Sequence, residues 1–273
     1  MSEGETVEGI AAPRTRRSLA ADLLALGLHT GDTVIVHSSL SAIGWVAGGP
    51  VAVIQALCDV LGERGNLVMP TQSAGNTDPA DWIDPPVPAS WWPVIRQEMP
   101  AYDPARTPTR GMGSIPELFR TWPGVLRSAH PAHSFAALGP GAEAIISPHA
   151  LDDGLGEHSP LARLYTMGAR ILLLGVGHES NTSLHLAEYR APVASRCTQG
   201  ASVMVDGLRR WVTYSDLEHL DTDEVFPALG TDYEAENPYR AGPVGSATCL
   251  LLEMPALVDF AVPWIRRHLA QDY

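Results

Sequence analysis

The strongest constraint on the fold is an alternation of short apolar runs with helical patterns. Residues 33–37 (TVIVH), 66–71 (NLVMPT) and 171–174 (ILLL) are apolar runs of strand length. Runs that are apolar at almost every position are typical of parallel strands that are buried on both faces. An amphipathic helical pattern at 15–26 precedes the first run, and a helix at 50–61 separates the first run from the second. This alternation predicts an α/β fold with helices layered on a sheet.

The region after Pro192 follows a different pattern. Two strand-like runs between 201 and 214 flank Asp206-Gly207, a pair that favours a tight hairpin turn. Because hairpin strands are antiparallel, we predict an antiparallel portion late in the chain. The other elements predicted there are a helix at 221–229, a strand at 243–252 and a helix at 255–268.

The domain organisation follows from length and composition. A chain of 273 residues suffices for one large domain or two small ones, and no break in composition divides it. We predict a flexible N-terminus at 1–14 and a single domain at 15–273. Within that domain, 72–110 is a long segment rich in Pro, Trp and Asp, of the kind typical of a functional loop. A surface excursion with its own small hydrophobic cluster explains this segment equally well.

The charge balance narrows the class of partner. The net charge of −13 argues against a nucleic-acid partner and suits a cationic small molecule, although solubility alone would also explain it. The sequence has no signal-peptide pattern and no apolar run of membrane-spanning length, so no membrane partner is predicted. Its three scattered cysteines are typical of reduced thiols in a cytoplasmic protein. No zinc motif is present, and no metal is predicted.

The residues that follow the run at 171–174 carry most of the chemistry. Gly175 and Gly177 end the predicted strand, and Ser180, Asn181 and Thr182 are good helix caps. His185 then lies in the first turn of a helix, and Glu188 lies three residues later on the same face. The positive end of a helix disfavours imidazolium, so His185 tends to stay neutral and able to accept a proton. The alternative is an ordinary His–Glu pair on a helix surface, and such pairs are common.

Two further stretches are candidate binding loops. Arg110, Gly111, Met112 and Gly113 precede a helix for which Ser114 is the predicted cap. Glycine lets a ligand approach backbone N–H groups, and an arginine near a helix N-terminus can bind phosphate or pyrophosphate. A plain helix-capping loop is the more common outcome for such a sequence.

Acidic residues form the second candidate. Asp152, Asp153 and Glu157 lie in a glycine-rich loop, and Asp78 lies in the segment 72–110 near several tryptophans. Carboxylates and aromatic faces together suit a polar cation. We therefore predict that these four carboxylates contact a cationic substrate, and solvated loop charges are the alternative.

Four segments taken together resemble the aminoglycoside 3-N-acetyltransferases, an antibiotic acetyltransferase family distinct from the Gcn5-type acetyltransferases. The resemblance covers roughly residues 15–268, in order and spacing. It implies a single three-layer α/β/α domain with a mixed, partly antiparallel central sheet. The segments are VHSSLSAIG at 36–44 with Gly48-Gly49, RGMG at 110–113, SAHP at 128–131 through GEHSPL at 156–161, and LLLG at 172–175 through TSLHLAE at 182–188.

The resemblance also implies a reaction and a site. It implies transfer of an acetyl group from acetyl-CoA to the 3-amino group of a 2-deoxystreptamine ring, which would give antibiotic resistance. His185 and Glu188 match the family's His and Glu, and we interpret them as the general base and its partner. His37 is expected near the same site, and Thr182 is a candidate donor to the developing oxyanion. The residues expected to line the CoA pocket are Ser38, Ser39, Arg110, Gly111, Met112 and Gly113.

Three other functions remain open at this point. The same fold could acetylate another amine, such as a small metabolite. A metal-dependent hydrolase could use His178, Glu179, His185 and Glu188, although the two histidines are seven residues apart and not four as in HExxH. The chain could also bind an antibiotic or CoA without catalysis. A homodimer formed through the late strands is a further expectation.

Overall fold

The computed structural model describes residues 4, 7, 11–83, 85–191, 195–220 and 222–269. Its strands are β1 (Thr33–Ser38), β2 (Asn66–Pro70), β3 (Leu126–Arg127), β4 (Phe135–Leu138), β5 (Arg170–Leu174), β6 (Arg196–Val205), β7 (Leu208–Leu217), β8 (Arg240–Val244) and β9 (Ala247–Glu253). Its α-helices are α1 (Arg16–Leu26), α2 (Leu40–Ile43), α3 (Gly49–Leu61), α4 (Trp92–Glu98), α5 (Ser114–Phe119), α6 (Ala142–Ile146), α7 (Pro160–Thr166), α8 (His185–Arg190), α9 (Thr222–Glu236) and α10 (Met254–Leu269).

One mixed sheet lies at the centre of the described residues. Its seven strands follow the order β3-β4-β2-β1-β5-β9-β8. β1 pairs in parallel with β2 on one side and with β5 on the other. The remaining pairs in this sheet are antiparallel. β6 and β7 form a separate two-stranded ribbon that turns at the predicted Asp206-Gly207. The predicted α/β class with a partly antiparallel sheet is confirmed.

Alternate side chains of the strands enter two different cores. Val34 and Val36 of β1 point to a core that also contains buried residues of α1, α3 and α5. Ile35, between them, belongs to a core on the opposite face that is built from α6, α7, α8, α9 and α10. Since neighbouring residues of a strand point to opposite faces, one apolar run such as 33–37 supplies both cores. The result is three layers, with helices on both faces of the sheet.

One predicted strand is wrong. The apolar run predicted as a single strand at 243–252 is instead the hairpin of β8 and β9, joined by Gly245 and Ser246. Gly245 has a φ of 64°, and a Cβ atom there would lie 2.6 Å from the Ile43 carbonyl oxygen. Glycine is therefore required at the turn. Because apolar residues lie on both sides of this glycine, the sequence pattern predicts one continuous strand and no turn.

Other boundaries differ by a few residues. Gly113 is the N-cap of α5, and Ser114, the predicted cap, is its first helical residue. The predicted helix start at 221 lies outside the described residues. The predicted flexible segment 1–14 lies largely outside them as well, although Arg14 forms a parallel bridge with Val46. Within the described ranges, no helix combines the length and the apolar character needed to cross a bilayer.

The segment 72–110 docks against the ribbon formed by β6 and β7. The residues of this segment that the structure describes, 72–83 and 85–110, form α4 and three short 3-10 turns joined by irregular backbone. Thr77 forms an antiparallel bridge with Ala201 of β6. The Tyr102 N–H donates to the Ser202 carbonyl oxygen over 2.8 Å. The segment and the ribbon are therefore joined through their backbones at two points.

A buried arginine fixes the base of this segment. Arg127 of β3 has 8% of its surface exposed, and its guanidinium donates to the carbonyl oxygens of Thr71 and Thr107 over 2.6 and 2.5 Å. Its Nε donates to the Ser134 hydroxyl over 3.1 Å, and its guanidinium lies 5.3 Å from the centre of the Tyr102 ring. The five N–H groups of an arginine can satisfy several carbonyl groups at once. Arg127 thus holds both ends of the segment against the edge of the sheet.

We expect the substitution Arg127→Met to lower the free energy of unfolding by about 3 kcal/mol. It removes the donor that Arg127 supplies to the partly buried carbonyl oxygens of Thr107 and Pro104, and one of the two donors to that of Thr71. Urea unfolding followed by circular dichroism measures this. The matched control is Arg106→Met, whose side chain is 87% exposed and which we expect to change the free energy by less than about 0.5 kcal/mol. Equal stability of the two variants would contradict the assigned role of Arg127.

Candidate active site

The site lies at the carboxyl ends of the parallel strands β1 and β5. β5 ends at Leu174, and Gly175 follows with a φ of 73°. A Cβ atom at Gly175 would lie 2.6 Å from the Cβ of Ala42 and 3.0 Å from that of Ala247. The turn therefore needs glycine both for its conformation and for close packing. This edge of an α/β sheet is where ligands usually bind.

Two 3-10 turns then carry the chain into α8. The turns are His178–Ser180 and Thr182–Leu184, and the Asn181 side chain between them accepts the Ser183 N–H. His185 is the first residue of α8, as predicted to within one turn. Because the turns fix the approach to the helix, the His185 side chain is held in a mostly buried position, with 9% of the residue exposed.

A fully buried carboxylate binds two histidines at this point. Glu188 has none of its surface exposed. The Nδ1 of His185 lies 2.6 Å from its Oε2, and the Nδ1 of His219 lies 3.1 Å from the same oxygen. Its other oxygen accepts the Leu220 N–H over 3.0 Å. The sequence indicated the pair His185–Glu188 but not His219, which lies 31 residues beyond Glu188.

The pKa shifts show which partner carries the charge. Burial alone would raise the pKa of Glu188, but His185 and His219 outweigh it and bring this pKa to about 2. Burial lowers the pKa of His185 below its ordinary value, and Glu188 opposes that effect in part. At neutral pH the carboxylate is therefore ionised and His185 is neutral. With Nδ1 donating to Glu188, the lone pair on Nε2 of His185 is available to accept a proton.

A cleft in front of His185 has two connected arms. The inner arm has a volume of about 370 Å³ and is lined by His185, His37, Thr182 and Glu179, among others. The outer arm, of about 640 Å³, is lined by the loop after β1 and the loop before α5. The residues common to both arms are Ser38, Gly111, Met112, Val176 and Ser180. A ligand in the outer arm can therefore reach into the inner arm.

The predicted CoA-pocket residues largely line this cleft. Ser38, Ser39, Gly111, Met112 and Gly113 line the outer arm. The Arg110 side chain instead lines a separate cavity of about 760 Å³, which is formed by the segment 72–110. Gly111 and Gly113 have φ values of 75° and 82°, so glycine suits both positions of the loop.

Two polar atoms near the cleft are buried and have no hydrogen-bond partner among the described residues. They are the Nε2 of His37 and the hydroxyl of Ser38. Burial, with smaller contributions from His185 and His178, lowers the pKa of His37 to about 3, so His37 is neutral. Buried polar atoms normally bind a partner, and these two line the inner arm, where a substrate would supply one.

The predicted acidic contacts lie elsewhere. Asp153 accepts the backbone N–H and the Nδ1 of His158, Glu157 pairs with Arg190 over 2.6 Å, and Asp78 pairs with Arg96 over 2.7 Å. These three residues and Asp152 are not among those that line either arm. Their contact with substrate stays a prediction. The carboxylate that lines the inner arm is that of Glu179, which accepts the Gly177 N–H over 2.8 Å.

The geometry does not assemble the metal cluster of the hydrolase alternative. His178 packs against α9, where its Nε2 lies 3.1 Å from the Oε1 of Glu234. Within the described part of the chain, the group of side chains close enough to hold a metal ion consists of His185, Glu188 and His219. The four residues of that alternative are therefore not brought together as one metal site.

The sequence and the fold match known proteins. A family model described as aminoglycoside 3-N-acetyltransferase matches residues 35–266. The chain belongs to this family. YokD of Bacillus subtilis (strain 168), described as an SPbeta prophage-derived aminoglycoside N(3')-acetyltransferase-like protein, is 51% identical over 94% of this chain and 94% of its own length. The crystal structure of YokD superposes with a TM-score of 0.96 at 48% identity, over 99% of this chain and all of that chain (100%).

Other aminoglycoside 3-N-acetyltransferases agree over nearly the whole length. The aminoglycoside N(3)-acetyltransferase VII of Streptomyces paromomycinus is 42% identical over 95% of this chain and 94% of its own. The structure of AAC-IIIb in a binary complex with CoASH superposes with a TM-score of 0.84 at 33% identity, over 94% of this chain and 98% of that chain. The predicted family is confirmed, and the chain is an enzyme of this type.

We expect His185 to keep Nε2 unprotonated as the pH is lowered through about 6.5, the ordinary pKa of histidine. Burial disfavours imidazolium there, so the folded protein binds this proton only at lower pH. Nitrogen-15 NMR of histidine-labelled protein measures the protonation of each ring nitrogen. In Glu188→Gln we expect the pKa of His185 to fall further, because the carboxylate that raises it is lost. Protonation of Nε2 above about pH 6.5 in the wild type would contradict the assignment.

Proposed function

We propose that the chain transfers the acetyl group of acetyl-CoA directly to the 3-amino group of the 2-deoxystreptamine ring of an aminoglycoside, in a ternary complex with His185 as general base. The observation that carries the proposal is the neutral, carboxylate-bound His185 at the wall of a two-armed cleft. Acetylation removes a positive charge from the antibiotic, and we propose resistance as the consequence.

The outer arm fits the thioester substrate. It is a groove with small side chains and positive-φ glycines, where backbone N–H groups can approach a ligand closely. The complex of AAC-IIIb with CoASH supports CoA as the ligand of this family member as well. Acetyl-CoA supplies the activated acyl group, and Ser38, Ser39 and the loop 111–113 are the residues that would hold it.

His185 then acts on the amine in the inner arm. Its Nε2 accepts a proton as the nitrogen of the neutral amine bonds to the acyl carbon, and Glu188 stabilises the imidazolium that forms. The C–S bond of the thioester then breaks, and the departing CoA thiolate takes the proton back from His185, which releases CoA as a thiol. Thr182, which lines the same arm, is our candidate donor to the oxygen on which negative charge develops. Direct transfer needs no covalent enzyme intermediate. The three cysteines, Cys58, Cys197 and Cys249, are not among the residues that line the cleft.

Glu179 is our candidate for binding the cationic substrate. It lines the same arm as His185, and only one of its oxygens has a hydrogen bond in the described structure, to Gly177. An aminoglycoside carries several ammonium groups, and a carboxylate in the chamber both attracts and orients them. The overall acidic charge of −13 would add to that attraction at longer range.

A thiol-release assay tests the reaction. With acetyl-CoA and a panel of 2-deoxystreptamine aminoglycosides, we expect CoA thiol release that depends on the aminoglycoside, and mass spectrometry with NMR should map the acetyl group to the 3-amino position. The control omits the amine. If thiol release occurs with a different amine but with none of the aminoglycosides, the proposed substrate is wrong and the proposed acetyl transfer stands. Absence of CoA binding would contradict the proposal as a whole.

The general base has its own test. We expect His185→Ala to lower kcat by about 100- to 10,000-fold, because the proton of the attacking amine is left without an acceptor. Steady-state kinetics measures kcat, and calorimetry should show that CoA still binds. The matched control is His158→Ala, a histidine with a 76% exposed side chain that lies outside the cleft. A kcat for His185→Ala close to that of the wild type would remove His185 from the mechanism.

Substitutions of Glu179 and Glu157 test which carboxylate binds the aminoglycoside. We expect Glu179→Gln to raise the KM for the aminoglycoside by about 10-fold, in line with the loss of one charge-assisted hydrogen bond, and to leave the KM for acetyl-CoA unchanged. Glu157→Gln, in an exposed pair with Arg190, should leave both constants unchanged. The reverse pattern would favour the substrate contact predicted for Glu157 from the sequence.

A further inference from the structure

Three side chains that can bind a metal, one of them the proposed base His185, converge beside the inner arm. Each of His185, Glu188 and His219 offers one ligand atom within 4.8 Å of the other two. The centres of the two imidazole rings are 4.5 Å apart. The Nδ1 atoms of both rings face the same carboxylate oxygen of Glu188, at 2.6 and 3.1 Å. A single hydrogen bond to Glu188 would be enough to orient His185, so the second imidazole on the same oxygen calls for another explanation.

Two imidazoles and a carboxylate form a well-known donor set for divalent transition metals. Zinc binds imidazole nitrogen at about 2.0–2.1 Å and carboxylate oxygen at about 2.0–2.2 Å, which places neighbouring ligands of a tetrahedral ion about 3.3 Å apart. The distances of 2.6 and 3.1 Å between Glu188 and the two rings would therefore have to open by less than about 1 Å. The ligand nitrogens of His185 and His219, which lie within 4.8 Å of each other, would have to approach by no more than about 1.5 Å. Imidazole ligands also favour zinc, copper and nickel over magnesium or calcium.

One ligand has room to adjust. The side chain of His219 is 23% exposed, and its Nε2 has no hydrogen-bond partner among the described residues. The Nδ1 of His133, whose ring centre is 5.4 Å from that of His219, is likewise buried and without a partner there. The ring of His219 can therefore shift without breaking a hydrogen bond on its far side.

We propose that His185, Glu188 and His219 form an inhibitory site for a divalent transition metal, with Zn²⁺ as the ion that it takes. The metal occupies the position between the rings and the carboxylate, and binds the two Nδ1 atoms and one oxygen of Glu188. In each imidazole the proton on Nδ1 moves to Nε2, and the Nδ1 lone pair binds the metal, so no proton is gained or lost overall. The Nε2 of His185 then carries a proton and can no longer accept one from the amine.

This arrangement predicts a distinctive kinetic pattern. The metal binds on the Glu188 side of the ring, away from the substrate chamber, and removes the base from a fraction of the molecules. Saturation with either substrate should therefore not relieve the inhibition. A metal bound from the chamber, on Nε2 of His185, would instead compete with the amine. The two positions are thus distinguishable by kinetics.

The test combines binding and kinetics on the full chain after removal of metal by a chelator. In equilibrium dialysis against Zn²⁺ we expect one ion per chain for the wild type and for His158→Gln, a histidine with a 76% exposed side chain. His219→Gln keeps an N–H donor toward Glu188 but removes an imidazole ligand, so we expect its affinity to fall at least about 10-fold. Zn²⁺ should lower the kcat of the wild type with both KM values unchanged, and EDTA should restore it.

A measurement on the wild type alone tests the proposal even if His219→Gln does not fold. Addition of Zn²⁺ should convert His185 and His219 to the Nε2–H form in nitrogen-15 NMR, and leave the signal of His158 unchanged. Equal zinc affinity in His219→Gln and the wild type, absence of stoichiometric binding, or inhibition that competes with the amine would each overturn the proposal. Dialysis and NMR need no turnover, so they test zinc binding independently of which amine the enzyme acetylates.

Discussion

The candidate active site depends on one buried carboxylate. Glu188 has no exposed surface, and it remains charged because three donors face it: the rings of His185 and His219 and the Leu220 N–H. An ionised group this deep in a protein is tolerated only when its partners replace the lost water. The first of these bonds orients the ring of His185, and the other two hold the carboxylate that it faces. The charge that the fold must stabilise is therefore also the group toward which Nδ1 of His185 donates, which leaves Nε2 of that ring as the acceptor.

The sequence predicted the local part of this arrangement and missed the distant part. His185 and Glu188 are three residues apart on one helix, and helical periodicity alone places them on the same face. His219 reaches Glu188 from the far end of the ribbon formed by β6 and β7, and no local pattern signals such a contact. The two unpartnered atoms of His37 and Ser38 also became visible only with the packing around them.

In the fold, too, local features were predicted from the sequence and features that depend on distant contacts were not. The run at 33–37 predicted a strand buried on both faces, because its apolar character does not alternate, and both cores use it. The run at 243–252 has similar apolar character, but Gly245 divides it into two strands. The need for glycine there comes from its positive φ and from its close approach to Ile43 of α2, which is distant in sequence. Carboxylates were predicted to bind substrate from loop composition, which does not tell whether an arginine such as Arg96 or Arg190 already neutralises them.

The backbone bridges between the segment 72–110 and the ribbon have a consequence for how this enzyme can diverge. Thr77 pairs with Ala201 and Tyr102 bonds to Ser202, while the same ribbon leads directly to His219. Insertions or deletions in the segment would therefore displace a strand whose continuation brings His219 to Glu188. Such a loop is not free to drift as surface loops usually are. Changes in its length should accumulate together with compensating changes in β6 and β7, so that the two behave as a single evolutionary unit.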